Sequence, residues 1–178
     1  LAVYHNHSEE KHNHTISSQS ALLKTIPEKL QGCLFENVPA PSKWKEHAWD
    51  ERKTAYANIQ KLHKANITIG TGSDAGNPYT LHGTGLHNEL DALKKAGLTN
   101  GEIINAATVN GAKAINKAES IGKLTKGFEA SFVLLKQNPL SDINHIHTIS
   151  QVYKTGLKVD RSALIAQNKA ITPQGPTC

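Results

Sequence analysis

The chain contains 178 residues, of which 38% are hydrophobic and 20% are charged, and its formal net charge is +5. This length is enough for one domain, or for one domain and a small second one. The positive charge is spread thinly and only 5% of the residues are aromatic, so the sequence predicts no nucleic-acid partner. No apolar run approaches the ~18 residues of a membrane-spanning helix. Cys33 and Cys178 form no metal or redox motif, and whether they pair stays open.

The first part of the chain is polar and rich in histidine. The sequence HNH occurs at 5–7 and again at 12–14, and on a β-strand two such histidines would face the same side and could hold one metal ion. The residues between the two copies are typical of a loop, so we interpret both copies as loop. A His-rich metal-binding protein stays an alternative. Residues 20–49 contain prolines and both tryptophans, which indicates a long loop with a short helix near 20–31.

The middle of the chain begins with a helix and a short strand. Residues 50–65 carry apolar side chains at helical spacing, and Asn66 can end that helix. The β-branched run at 67–71 then predicts a strand. Glycines around Asp74 end the regular structure, so Asp74 is expected at the carboxyl end of that strand, where α/β folds bind ligands. An aspartate that only hydrogen-bonds its own turn is the alternative.

Two further helices follow. Leucines between 86 and 93 mark one face of a helix that stops at Gly97. Thr99 and Glu102 have the spacing of a capping box, which starts another helix that runs to about Ile115.

The remaining part of the chain predicts a small β module. The run 131–136 is typical of a strand, and residues 149–153 and 157–159 predict a hairpin with its turn near Thr155 and Gly156. Between these strands, His145 and His147 are expected to be structural or to face solvent. His87, on the helix that follows the Asp74 loop, is expected to be exposed.

The order and spacing of these segments resemble the C-terminal half of the metal-dependent amidohydrolase superfamily. The resemblance covers roughly residues 52–160 and rests on GTGSDAGNP, LHG, ELDALKKAGLTNGEIINAATVNGAKAI, IGKLTKGFEASFVLLKQNPLSDI and VYKTG. Within the superfamily, the branch of imidazolonepropionases and Xaa-Pro dipeptidases is the most similar. The resemblance implies an α/β fold: the C-terminal part of a (β/α)8 TIM-like barrel at 1–117, with β-sandwich strands and a C-terminal tail at 118–178.

The resemblance also implies a chemistry. It points to a hydrolase that cleaves C–N bonds in amides, cyclic amides or dipeptides with a metal-activated water. Asp74 matches the family's aspartate after barrel strand 8, and would be both proton shuttle and metal ligand. Gly76, Asn77 and His82 would contact the substrate, and the implied cofactor is one or two divalent metal ions, with zinc favoured. The family's aspartate before the next strand is Ser131 here, a structural position.

A barrel of this kind takes about 250 residues, so we expect six strands and the other metal ligands to lie upstream of Leu1. The missing N-terminal half of the barrel is then a partner of this chain, beside a small amide or dipeptide substrate and a second copy in a homo-oligomer. The compartment stays open, because a signal could lie upstream. A non-catalytic scaffold that keeps the barrel shape is the alternative function.

Overall fold

The computed structural model of the chain describes residues 42–75 and 82–170. The predicted helix near 20–31, both HNH sequences and both cysteines lie outside these residues. The described part is a mixed α/β structure with these elements in chain order: α1 Ser42–Lys64, α2 Thr84–Lys95, α3 Asn100–Asn105, a π-helical turn Ala106–Asn110, α4 Gly111–Ala114, β1 Phe132–Leu135, a 3₁₀ helix Ile143–His147, β2 Ile149–Lys154, β3 Leu157–Lys158 and α5 Arg161–Ala170.

Three of the helices end on a residue in the left-handed conformation. Asn66, Gly97 and Asn116 have φ values of 56°, 94° and 56°. After each of them, the next backbone amide reaches back five residues, as Ile67 N does to the carbonyl oxygen of Leu62 at 3.0 Å. This pattern satisfies carbonyl groups that a helix end would leave unpaired. The helix ends predicted at Asn66 and Gly97 are therefore confirmed.

The strand predicted at 67–71 is not formed among the described residues. Residues 67–74 have no regular secondary structure, and Ala75 makes an isolated β-bridge. A β-strand exists only beside a hydrogen-bonded neighbour, and none of the described strands pairs with this segment. The β-branched composition was therefore not enough to give a strand in the described structure.

The capping box at Thr99 is confirmed. Glu102 N donates to Thr99 Oγ1 at 3.4 Å, and Thr99 N donates to Glu102 Oε2 at 2.8 Å. The helix that it starts does extend to Ala114. Its middle, however, is the π-helical turn Ala106–Asn110, which the sequence did not predict.

The core lies where α2 and α3 meet the 3₁₀ helix. Leu93 on α2 and Ile103 on α3 are 0% exposed, and Ile143 of the 3₁₀ helix is 3% exposed beside them. Tyr56 and Ile59 of α1 pack against this cluster from its edge. The 3₁₀ helix was not predicted, yet it contributes one of the most buried side chains.

The β module is an antiparallel sheet with strand order β1–β2–β3. Phe132 and Tyr153 lie opposite each other in the register and stack with ring centroids 4.7 Å apart. The hairpin is confirmed, with Thr155 and Gly156 both at positive φ. Ser131 Oγ accepts a hydrogen bond from Thr155 N at 2.9 Å, so this hydroxyl ties β1 to the hairpin turn at the family's aspartate position. No helix of the described residues is long and apolar enough to cross a membrane.

Candidate active site

Asp74 lies at the end of the irregular segment 67–75. Its side chain is exposed and its φ is 51°, which is the left-handed region that residues other than glycine rarely adopt. Asparagine and aspartate tolerate this region better than most residues, but the conformation still costs free energy. Residues held in this way cluster at functional sites. The backbone therefore presents the Asp74 carboxylate in a strained and accessible position.

The segment that leads to Asp74 is held by contacts with α1, with the core and with the π-helical turn. Ile67 N donates to Leu62 O at the end of α1, and the side chain of Ile69 packs against the core. The carbonyl oxygen of Ile69 accepts a hydrogen bond from Asn110 Nδ2 at 2.8 Å, in a partly buried position. These contacts hold the segment against α1 and against the π-helical turn.

Asn110 was missed by the sequence reasoning. The available signal was its place inside a helix: asparagine is a poor helix former because its side chain competes for backbone hydrogen bonds. An asparagine inside a helix can use its side chain for a hydrogen bond to a segment outside that helix. The contact itself joins residues 41 positions apart, so no local pattern could have located it.

The other residues assigned to the substrate site are only partly described. His82 is exposed and lies in the turn before α2, next to Gly83, whose φ is 87°. Gly76 and Asn77 lie outside the described residues. The assignment of these three residues therefore stays a prediction.

A cleft of about 350 Å³ runs beside the same segment, between residues 67–69 and the helix that carries Asn110. In the lining of this cleft, His63 Nε2 lies 3.1 Å from Glu102 Oε1. Hydrogen bonds from the hydroxyl and the backbone amide of Thr99 lower the pKa of Glu102, and the nearby His63 adds to this effect. Both side chains are about 40% exposed, so water screens their attraction. Both side chains belong to the lining of the cleft.

His87 is half-buried, and the prediction that it is exposed was wrong. Its ring stacks on the ring of His147 with centroids 4.7 Å apart and an interplanar angle of 25°. The 3₁₀ helix, which the sequence did not predict, brings His147 onto this face of α2. Burial lowers the pKa of His87, and the neighbouring His147 lowers it further. His87 Nδ1 is buried and has no hydrogen-bond partner in the described structure.

A metal site needs several ligands, and the described residues do not bring a full set together. Among the side chains that the structure describes, no three of His, Cys, Asp or Glu come close enough together to hold a metal ion. Asp74 nevertheless offers what a divalent cation accepts, an exposed carboxylate on a loop flanked by glycines. Asp74 fits the role of one ligand or of a base beside the metal, and the other ligands would have to come from elsewhere.

Comparison with known proteins gives consistent relatives. The chain is 35% identical over 100 residues to ochratoxinase from Aspergillus niger, which covers 52% of this chain and 19% of that protein. It is 36% identical over 121 residues to imidazolonepropionase from Streptococcus pyogenes serotype M3, covering 62% of this chain and 27% of that protein.

A similar solved structure is that of a Xaa-Pro dipeptidase with bound methionine. The TM-score is 0.60 with 23% sequence identity, over 74% of this chain and 31% of the dipeptidase, and at this identity the likeness concerns the fold alone. The chain thus spans between about a fifth and a third of the length of these three proteins.

The family model described as "Amidohydrolase family" matches residues 8–159, which is most of the chain. The match includes the Asp74 segment, the capped helix and the β module. The chain belongs to the Amidohydrolase family.

Proposed function

We propose that this chain is the C-terminal portion of a metal-dependent hydrolase of C–N bonds, with Asp74 as its proton shuttle. The observation that carries the proposal is the backbone of Asp74: in a chain of the Amidohydrolase family, one exposed carboxylate is held at a φ of 51°. The left-handed backbone fixes the direction in which the Asp74 carboxylate leaves the chain, and a catalytic base needs such an oriented carboxylate.

The chemistry of Asp74 follows from its carboxylate. In the proposed reaction it accepts a proton from the attacking water and then donates that proton to the leaving nitrogen of the scissile C–N bond. A divalent metal, when bound, supplies the lowered pKa of that water and the polarised carbonyl. Asp74 would also act as one metal ligand, and the anchored segment 67–75 would keep its carboxylate at a fixed distance from the reacting atoms.

The proposal assigns the rest of the chain to a larger fold. Residues 1–117 would be the last part of a (β/α)8 barrel, and residues 118–178 would belong to the β-sandwich beside it. The partner that completes the barrel is an N-terminal half, which would supply neighbours for the unpaired segment 67–71 and the histidine ligands of one or two zinc ions. The exposed side chain of Ile67, at 54%, is consistent with a surface that such a partner covers.

The substrate class that the proposal favours is a small amide, cyclic amide or dipeptide. Gly76, Asn77 and His82 follow Asp74 closely in the sequence, and we propose that they contact the substrate beside the scissile bond. The enzyme names of the two sequence relatives, ochratoxinase and imidazolonepropionase, support a small organic substrate for this chain as well.

The experiment uses the full-length protein that contains this chain. The purified protein is analysed for metal and assayed on Xaa-Pro dipeptides, N-acyl amino acids and cyclic amides, before and after removal of metal by dialysis against a chelator. The proposal predicts at least one equivalent of divalent metal, hydrolysis of one of these classes, and loss of that activity on dialysis with recovery on adding Zn²⁺. A folded protein with less than one equivalent of metal, or one whose hydrolysis survives full metal removal, would contradict it.

A further inference from the structure

We propose that Asn110 is a positioning residue for the Asp74 segment: its side-chain amide fixes the Ile69 carbonyl and thereby sets where the Asp74 carboxylate stands. The inference rests on the proposed function and adds a residue that acts through the backbone rather than on the substrate. The primary observation is the hydrogen bond from Asn110 Nδ2 to Ile69 O at 2.8 Å. Ile69 lies five positions before Asp74 on the same segment.

The π-helical turn explains how Asn110 comes to face this segment. A π-helical turn accommodates one residue more than an α-helical turn, so it changes the direction of the side chains that follow it. Asn110 is the last residue of the turn Ala106–Asn110. Thr108, within the turn, donates its hydroxyl proton to the carbonyl oxygen of Ile104 at 2.7 Å, which satisfies a backbone acceptor of the preceding helix.

The same turn is held in place by the chain that enters the β module. A Cβ atom added at Gly122 would lie 2.8 Å from Ala112 Cβ and 2.8 Å from the carbonyl oxygen of Thr108. The backbone of Gly122 therefore sits directly against the turn, at a distance that only glycine allows. The turn is a firm support, fixed by contacts that do not involve residues 67–75.

The Asp74 segment needs such a support. Among the described residues it belongs to no sheet. In its middle part, the carbonyl oxygen of Ile69 accepts the hydrogen bond from Asn110. The side chain of Ile69 packs on the core while its carbonyl accepts from Asn110, so both the side chain and the backbone of this residue are fixed. Since a catalytic group displaced by about 1 Å can lose on the order of 10²-fold in rate, a looser Ile69 should be visible in turnover.

The test compares Asn110→Asp with Asn105→Asp in the full-length protein. Asn105 lies on the same helix and beside the same cleft but is exposed, so it is the matched control. The aspartate at 110 is ionised at pH 7 and cannot donate to Ile69. We expect kcat to fall by about tenfold or more, KM to change by less than about threefold, because binding contacts stay in place, and bound metal to be retained. The control should stay near wild type in all three.

Two further readouts separate positioning from general damage. When the pH falls and the new carboxyl group becomes protonated, its O–H can donate to Ile69 O, so kcat relative to wild type at the same pH should rise for Asn110→Asp. It should not rise for Asn110→Ala, which also serves if the aspartate variant fails to fold. Amide hydrogen exchange in peptides covering 67–75 should be faster in both variants and unchanged in Asn105→Asp.

The outcomes distinguish this inference from the proposed function. Wild-type kcat together with unchanged exchange at 67–75 would overturn the role of Asn110, as would a loss of kcat with no change in exchange. If Asp74→Asn keeps full activity, the proposed function fails instead. In that case faster amide exchange at 67–75 would still confirm that the hydrogen bond from Asn110 holds this segment, but not that the hydrogen bond contributes to catalysis.

Discussion

Gly122→Ala is expected to destabilise the protein more than any other single alanine substitution at a glycine of the β module. The backbone at Gly122 has a φ of 88°, and alanine in the left-handed region costs roughly 1–2 kcal/mol. The new Cβ would in addition lie 2.8 Å from two atoms, one of them the backbone oxygen of Thr108, which cannot move without moving the helix. Overpacking of this kind costs about 1–3 kcal/mol, so the two effects together amount to about 2–5 kcal/mol.

Gly127→Ala provides the matched control. Gly127 has a φ of 92° and nothing within 4 Å of an added Cβ, so only the conformational cost of about 1–2 kcal/mol applies. Both variants are measured in the full-length protein by urea unfolding, monitored by two probes so that the cooperativity of the transition is checked. The reasoning is refuted if Gly122→Ala is no more destabilising than Gly127→Ala, because the close approach to Thr108 would then have no energetic consequence.

Three other predictions concern stability and metal content. The pKa of His87 is lowered in the folded protein, so the unfolded chain binds more protons once the pH falls below about 6.5, and the free energy of unfolding decreases from there toward the folded-state pKa. In His87→Phe the free energy of unfolding, measured with urea between pH 7.5 and 5, should decrease less than in the wild type. Parallel pH profiles of the two proteins would contradict this prediction. Thr99→Ala removes the cap of α3 and should cost about 0.5–2 kcal/mol, whereas the exposed Thr125→Ala should be neutral in the same assay. Replacing all four histidines of the two HNH sequences by alanine should leave the metal content of the full-length protein unchanged in elemental analysis, and loss of a full equivalent would show that they are ligands.

The features that the sequence predicted correctly depend on short spacings along the chain. The capping box joins Thr99 to Glu102, and the helix stops at Asn66 and Gly97 need only one residue that tolerates positive φ. The hairpin turn at Thr155 and Gly156 is likewise set by the two residues that form it. For these elements, the conformation that the local sequence favours is also the conformation found in the fold.

The features that it did not predict depend on contacts between distant parts of the chain. The run at 67–71 has the composition of a strand, but pairing is decided by a neighbour, and the described residues provide none. The burial of His87 is caused by the 3₁₀ helix some sixty positions later. Asn110 likewise finds its partner in Ile69 across the fold.

The candidate site shows the same division. The glycines around Asp74 predicted an exposed acid on a loop, and the structure confirms the exposure and adds the left-handed backbone. The function proposed for that acid requires further metal ligands and substrate groups, and the described residues do not bring such a set of ligands together. Local sequence therefore located the carboxylate, and family membership, rather than its surroundings, suggests its role.

The most direct test of the account is the turnover of Asp74→Asn in the full-length protein. The substitution keeps the size of the side chain and removes its basic oxygen, so kcat should fall by at least ~10²-fold, while KM changes far less and bound metal is largely retained. Asp91→Asn is the control, because Asp91 pairs with Lys95 at the surface, with charged atoms 3.3 Å apart, and has no part in the proposed reaction, so its turnover should match the wild type. Near-normal kcat in a well-folded Asp74→Asn protein would contradict the assignment of Asp74 as the proton shuttle.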